Sequence, residues 1–239
     1  MRWSWFFIKR RQEREERERA FYENGSLLLE KLIASCNAKP IPIPTFSPQQ
    51  LLLATNNFSS EKLVMEFSIR YKGSLEGRIV LIKCNNGWAD LVINDLVISA
   101  QMSGHSNVLK PIGCCLHTQI PILVFEYAAN GVLADRIYVF RVTERQHQAM
   151  VWERRLKIAR QIAHALSYLH TAFPRPVIHM FMHMGNILLD ENDVPKLSGF
   201  YFSVSIPEGE AEVEGFHGFR HFGFCAPEFK ATGKIHTNG

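Results

Sequence analysis

Apolar residues in the first half of the chain come in short runs, and in the second half they recur at spacings of three and four. Arg70-Tyr71-Lys72-Gly73 and Ile79-Val80-Leu81-Ile82-Lys83, on either side of a turn that carries Gly77, read as two strands. Residues 90–102 read as a helix carrying Leu91, Asp95, Val97 and Ile98, residues 108–116 and 120–127 as further strands, and Asn130-Gly131 punctuates their end. Trp152, Leu156, Ala159, Ala163, Leu166 and Leu169 predict a long helix over 152–170 with an apolar stripe along it. Residues 186–190 and 194–198, joined by Glu191-Asn192-Asp193, predict a β hairpin. Upstream, Ser47 before Pro48 gives a cap with proline in the first helical position and predicts a helix over 48–56. Residues 9–19 alternate in sign, with Glu13 and Arg17, and Glu15 and Arg19, in favourable i,i+4 order. A second short helix is predicted at 26–34, and Pro40, Pro42 and Pro44 enforce an extended linker.

These elements divide the chain into a leader and linker over 1–44, a sheet-rich lobe with one main helix over 45–127, and a mainly helical lobe over 128–239. The fold class is α+β. No repeat of fixed period runs through the sequence, which sets aside solenoids and propellers.

Composition narrows the function. The chain has 239 residues, 46% hydrophobic and 21% charged, enough to bury a real core, with a net charge of +4. Arg2, Lys9, Arg10 and Arg11 carry all four of those charges, so the remaining 228 residues sum to zero, which argues against a nucleic-acid-binding body. Cys36, Cys84, Cys114, Cys115 and Cys225 are odd in number and lack paired CxxC spacing, which fits a reducing compartment, the cytosol by default. No apolar run is long enough to span a bilayer. Trp3, Trp5, Phe6, Phe7 and Ile8, followed by Lys9, Arg10 and Arg11, are too brief for a signal peptide. Position 2 is arginine, which excludes myristoylation. Two readings stay open for this leader: a peripheral contact with a membrane surface, or packing of the aromatics on the folded body or a partner.

A sheet-rich lobe with one helix, then a long helix, then His179 and a hairpin opened by Asn186, resembles a eukaryotic protein kinase. Within that fold the chain resembles the plant receptor-like kinases, and among them the ZED-related cytoplasmic kinases and pseudokinases that serve as immune adaptors. The resemblance is carried over about 26–239 by NGSLLLEKLIAS, TFSPQQLLLATNNFS, VLIK, QMSGHSNVLKPIGCCL, ILVFEYAANGVL, WERRLKIARQIAHALSYLHTAFPRPVIH, GNILLDEN and APEF, in that order. It implies a bilobed kinase-like fold. The matching residues stop just after Ala226-Pro227-Glu228, which leads to the expectation of a C-terminally truncated second lobe whose 152–169 stripe lacks its packing partners.

The kinase template assigns parts residue by residue. Lys83 matches the strand lysine that holds the α and β phosphates of ATP, Asp95 falls where the helix glutamate that pairs with it belongs, and Asn186 matches a metal ligand, with a purely structural turn role as the alternative. Asp95, one methylene shorter than glutamate, is expected to give a looser ion pair. Other parts are missing. Phe181 replaces the catalytic base, in His179-Met180-Phe181. His183 stands where the family has lysine, and Gly199-Phe200-Tyr201 replaces the metal-binding Asp-Phe-Gly. Residues 63–70 hold no glycine where a phosphate-cradling loop belongs, and Glu66 there would repel phosphates. Leu81 and Arg70 crowd the adenine slot. Glu208, Glu210, Glu212 and Glu214 make the activation segment acidic, and Met180 replaces the arginine that grips a phosphorylated residue there, which argues against the usual phospho-switch. His179, His183, His217 and His221 lack the HExxH pattern of a metal site.

The resemblance thus implies an inactive kinase acting as an adaptor in plant immune signalling. No cofactor is expected at its degenerate ATP and magnesium positions, and no metal. The implied partners are an intracellular nucleotide-binding leucine-rich-repeat immune receptor and receptor-like cytoplasmic kinases; no nucleic acid is expected. The implied location is the cytoplasm, with a peripheral place at the plasma membrane if the leader touches lipid. The alternative is a serine/threonine kinase with weak ATP-dependent activity. Leu27, Leu28, Leu29, Leu32 and Ile33 on the leader are a candidate partner surface, or else pack on the chain's own small lobe.

Overall fold

The computed structural model describes residues 2–35, 41–60, 62–65, 68–138, 150–215 and 226–236, with the backbone alone for 2–10 and 236. Cys36, Pro40, Glu66, His217, His221 and Cys225 lie outside the described residues. The chain forms two compact units: residues 1–100 with 111–127, and residues 101–110 with 128–239. Residues 101–110, which the sequence reading kept with the sheet lobe, group with the second unit, and the leader groups with the first.

The first unit is built on an antiparallel sheet in the order β1 (Lys62–Val64), β2 (Ser68–Leu75), β3 (Arg78–Asn85), β5 (Ile122–Glu126), β4 (Pro111–Cys115). Leu75 pairs with Arg78, so the β2–β3 loop is the two residues Glu76 and Gly77. Both have positive φ, 50° and 78°, the backbone of a type I′ turn whose twist matches the strands it joins. One face of the sheet packs Tyr71, Val80, Ile82, Cys115 and Val124 against Leu51 of α2 (Pro48–Ala54). The Ser47 hydroxyl accepts from the Gln50 N–H, and the Ser47 N–H donates to the Gln50 side chain, closing a capping box on α2. Helix α3 (Ala89–Gln101) buries every residue from Leu96 to Ala100, together with Val92, Ile93 and Asp95. A helix this apolar on all sides has to be enclosed.

The leader is one helix, α1 (Arg2–Ser35), not the two short ones that the pattern predicts. Tertiary contacts override the break at Gly25. The buried Asn24 amide donates to the carbonyls of Leu116 (3.0 Å) and Thr118 (2.9 Å), Phe21 stacks on His117 at 4.6 Å, and Lys31 pairs with Asp90 at 2.9 Å. Its leucines are divided: Leu28 is buried and Leu27 and Leu32 half-buried against the unit, while Leu29 and Ile33 are 59% and 68% exposed. The structure therefore gives Leu28 to the chain's own core and leaves only Leu29 and Ile33 as surface.

The second unit holds α4 (Leu133–Ile137), α5 (Trp152–Thr171), the β6 (Val177–Ile178) and β9 (Val204–Ser205) pair, and the β7 (Ile187–Leu189) and β8 (Pro195–Leu197) hairpin. It also holds the pair β10 (Glu212–Glu214) and β11 (Lys234–His236), with α6 (Pro227–Thr232) between them in sequence. The hairpin turn is closed by the Asp190 carboxylate, which accepts from the Asn192 and Val194 N–H groups at 2.9 Å each. The chain around Asn107 and Leu109 exchanges hydrogen bonds with Leu197, and Asn130 and Gly131 exchange them with Leu189, so neither side of the short hairpin is left bare. On α5 the buried residues are Ile158, Ile162, Ala165 and Leu169. The predicted stripe is corrected: apart from Leu169 it faces outward, with Trp152 69% and Leu156 51% exposed. Two stripes of helical spacing compete on α5, and the one carrying two isoleucines supplies the larger apolar area to the core.

Candidate functional site

The residues singled out from the sequence form two groups, one in each unit. In the first unit Lys83 lies on β3, opposite Arg70 on β2 and Leu123 on β5. Its Nζ stands 2.6 Å from Asp95 Oδ2 on α3, with the two side chains 3% and 0% exposed, and 5.6 Å from the Phe125 ring centre. The expectation of a loose pair is corrected. Burial of α3 against the sheet brings its backbone close enough for the shorter carboxylate to reach, and a cation and an anion so thoroughly dehydrated hold each other tightly. Arg70 and Leu81, expected to crowd the adenine slot, are 3% and 8% exposed.

Where a glycine-rich loop would lie, β1 and β2 form a hydrogen-bonded hairpin: Leu63 faces Arg70, Val64 faces Ile69, and the Met65 N–H donates to the Ser68 carbonyl at 2.8 Å. A cradle works by leaving backbone N–H groups for phosphate oxygens, and here that amide is already used within the chain.

The second group is a knot of aromatic rings and backbone bonds. Phe181 is 2% exposed, edge-on to His183 (4.4 Å) and to Phe202 (5.5 Å); His179 lies 4.8 Å from the fully buried Phe200. The Phe181 N–H donates to the His179 carbonyl (2.8 Å) and to its Nδ1 (3.2 Å), a turn made possible by a φ of 62° at Met180. With Nδ1 accepting, the proton is assigned to Nε2, which donates to the Ser198 carbonyl at 3.2 Å. His183 Nδ1 likewise accepts, from the Gly185 N–H at 3.0 Å. Both imidazoles serve the backbone, and among the described residues no three His, Cys, Asp or Glu side chains converge as a metal site would need.

Asn186 is 3% exposed, and its Nδ2 donates to the Phe181 carbonyl at 3.1 Å. Its own carbonyl accepts from both the N–H and the hydroxyl of Ser198, at 2.9 Å each. Gly199 follows at φ 84°, and a Cβ placed on it would stand 2.6 Å from Asn186 Cγ and Oδ1 and 2.7 Å from Nδ2. The amide of Asn186 thus lies flat on the glycine, in the space a side chain at 199 would need. The sequence flagged the loss of a carboxylate at 199 but not this filling of the gap.

Of the acidic run, Glu208, Glu210 and Glu214 are exposed, while Glu212 pairs with Lys234 across β10 and β11 and raises its pKa. Burial pushes the Cys84 thiol up to about 11 and the Cys114 thiol to about 12, so neither is a thiolate at neutral pH. Among the described residues no helix is long and apolar enough to cross a membrane.

Comparison with known proteins places this geometry in a lineage. Residues 68–239 match the family model for protein tyrosine and serine/threonine kinases. The serine/threonine-protein kinase ZRK1 of Arabidopsis thaliana is 40% identical over 232 residues, covering 93% of this chain and 66% of the relative. The non-functional pseudokinases ZRK2 and ZED1 of the same plant are 43% and 42% identical, covering 87% and 89% of this chain. The chain spans 60–66% of the length of these three relatives.

Proposed function

Because the chain belongs to the protein tyrosine and serine/threonine kinase family, we propose that it is a catalytically inactive member that works by contact. On this reading it is an adaptor in plant immune signalling that docks on an intracellular nucleotide-binding leucine-rich-repeat receptor and on receptor-like cytoplasmic kinases. The observation that carries inactivity is the Asn186–Gly199 contact: the amide fills the place of the missing carboxylate, and its Nδ2 is spent on the Phe181 carbonyl. Magnesium asks for hard, anionic oxygens. Position 199 supplies none, and position 181 supplies a buried ring, so these residues do not fit the ion. Without it, neither the charge of a triphosphate nor that of the transition state is offset, and no base takes the hydroxyl proton.

Incubation with radiolabelled ATP and either magnesium or manganese tests this, with an active kinase of the family alongside. No transfer above a heat-denatured sample is expected, and millimolar Mg-ATP should leave the melting temperature unchanged. Turnover at ordinary kinase rates would overturn it. The adaptor half is tested separately by co-precipitation with such a receptor: Leu29→Glu with Ile33→Glu should abolish association, and persistent association would remove that face from consideration.

A second reading, a serine/threonine kinase with weak activity, draws on the closed Lys83–Asp95 pair and on relatives named as serine/threonine kinases. The radiolabel experiment decides between the two.

A further inference from the structure

The first unit grips α1 only through its C-terminal part, by Phe21, Asn24, Leu28 and Lys31. Residues 11–19 are exposed on every side, and the helix continues unbroken to Arg2. At about 1.5 Å per residue, Trp3 stands about 27 Å along the axis from Phe21. Two exposed ion pairs, Arg11 with Glu15 and Arg14 with Glu18, each 2.8 Å, brace the solvated stretch between.

What this arm carries at its far end is segregated along the axis, not across it. Trp3, Trp5, Phe6, Phe7 and Ile8 fall on every side of the helix at 3.6 residues per turn, and Lys9, Arg10, Arg11 and Arg14 follow as a basic collar that also goes all the way round. A helix that lies flat on a surface needs one apolar face, and a helix that docks in a protein groove needs one apolar stripe. This tip has neither. A medium that can surround an apolar tip of about 9 Å, and meet positive charge directly behind it, is the headgroup zone of an anionic bilayer, where apolar groups sink about 5–10 Å. Trp and Phe favour that depth, the collar lies level with lipid phosphates, and the unsatisfied N–H groups of the first helical turn find phosphate and ester oxygens there.

We propose that residues 3–14 of α1 form an end-on anchor for anionic membrane surfaces, held off the body of the protein by the exposed stretch of the helix. This does not rest on the adaptor reading, and it would hold for an active kinase equally.

Co-sedimentation of the full chain with phosphatidylcholine vesicles, with and without phosphatidylserine, tests it. Binding should be at least about tenfold stronger with phosphatidylserine and should weaken as salt is raised. Changing Trp3, Trp5, Phe6 and Phe7 together to Ser should abolish it, and Lys9→Glu with Arg10→Glu should remove the preference for anionic lipid, both with unchanged circular dichroism and melting. Leu29→Glu with Ile33→Glu, on the exposed face further along α1, should bind as the parent does. Absence of vesicle binding, binding that survives the serine substitutions, or binding indifferent to phosphatidylserine would each overturn the proposal. So would a dimer, seen by light scattering without vesicles and lost with the same serine substitutions, in a chain that leaves vesicles alone.

Discussion

Restoring the missing metal-binding carboxylate should damage this protein and not repair it. Gly199→Asp meets three costs. A non-glycine residue at φ 84° costs roughly 1 kcal/mol, somewhat less for Asp than for most residues. The new Cβ would lie 2.6 Å from the Asn186 amide, so that side chain has to leave, and the Phe181 carbonyl then loses its donor inside the fold, about 1–3 kcal/mol. The carboxyl itself enters a buried position beside aromatic rings, which adds roughly 1–3 kcal/mol on protein scales. The sum is about 3–5 kcal/mol once some relaxation is allowed, a large part of the stability of an ordinary domain. Urea unfolding followed by tryptophan fluorescence reads it. The mechanism has a sharper signature than the size: in Asn186→Ala the obstruction is gone, so the double variant should be less destabilised than the two singles summed, by roughly 1–2 kcal/mol. Additivity, or a Gly199→Asp protein within about 0.5 kcal/mol of the parent, would refute the filled-gap account. Adding Phe181→Asp should make matters worse, since Phe181 is 2% exposed among Phe202 and His183, and no phosphoryl transfer is expected from the pair.

Lys83→Met strands the fully buried Asp95 and should cost about 3–5 kcal/mol, most of it regained in Lys83→Met with Asp95→Leu; a single variant as stable as the parent in urea would contradict this, and until it is measured, loss of a partner in a Lys83 variant reports folding as much as nucleotide. Asn24→Ala leaves two carbonyls without their donor and should cost about 1–3 kcal/mol, while Leu28→Asp should free α1 to proteolysis and Leu29→Asp should not; equal protection in all three would mean that the helix is held otherwise. Burial, with His164 nearby, lowers the His105 pKa from its ordinary value of 6.5, and its Nδ1 accepts the Asn107 N–H at 3.1 Å. The unfolded chain therefore takes up this proton first, so the stability that His105 contributes is present above 6.5 and declines as pH falls through the lowered value. His105→Gln should flatten the dependence of the urea midpoint on pH in that window, and an unchanged slope would count against it.

Local signals in the sequence were read well where the partner is local. The Ser47-Pro48 start, the turn at Gly77 and the 187–197 hairpin depend on bonds spanning a few residues, and each is where the pattern puts it. The missing base at Phe181 and the missing carboxylate at Gly199 are matters of identity, legible without coordinates. What escaped depends on groups far apart in the chain. Continuity of α1 through Gly25 rests on Asn24 reaching carbonyls more than ninety positions away. The buried side of α5 could not be chosen because 152-156-159-163 and 158-162-165-169 are both regular helical stripes, and only packing selects one. The closeness of Lys83 to Asp95 is set by how α3 sits on the sheet, which side-chain length alone does not reveal.

The same asymmetry accounts for which kinase-like features this chain keeps. A carboxylate that faces a metal is stabilised only by that metal; with no ion beside it, it is a dehydrated charge among apolar rings, and replacing it by Phe or Gly relieves the fold. Phe181 has become core and Gly199 lets Asn186 close over it, so the loop gains packing where the template has charge. Lys83 and Asp95 are in the opposite position. Each is the other's counter-charge, at 2.6 Å and out of water, so removing either alone is costly whether or not nucleotide ever binds. A closed lysine–carboxylate pair in a protein of this family is therefore evidence of an ordered sheet and helix, and it does not bear on phosphoryl transfer. The group that does bear on it in this chain is the Asn186 side chain: as long as its amide lies on Gly199 and its Nδ2 holds the Phe181 carbonyl, single substitutions toward the catalytic template must first break a buried contact before they can add chemistry.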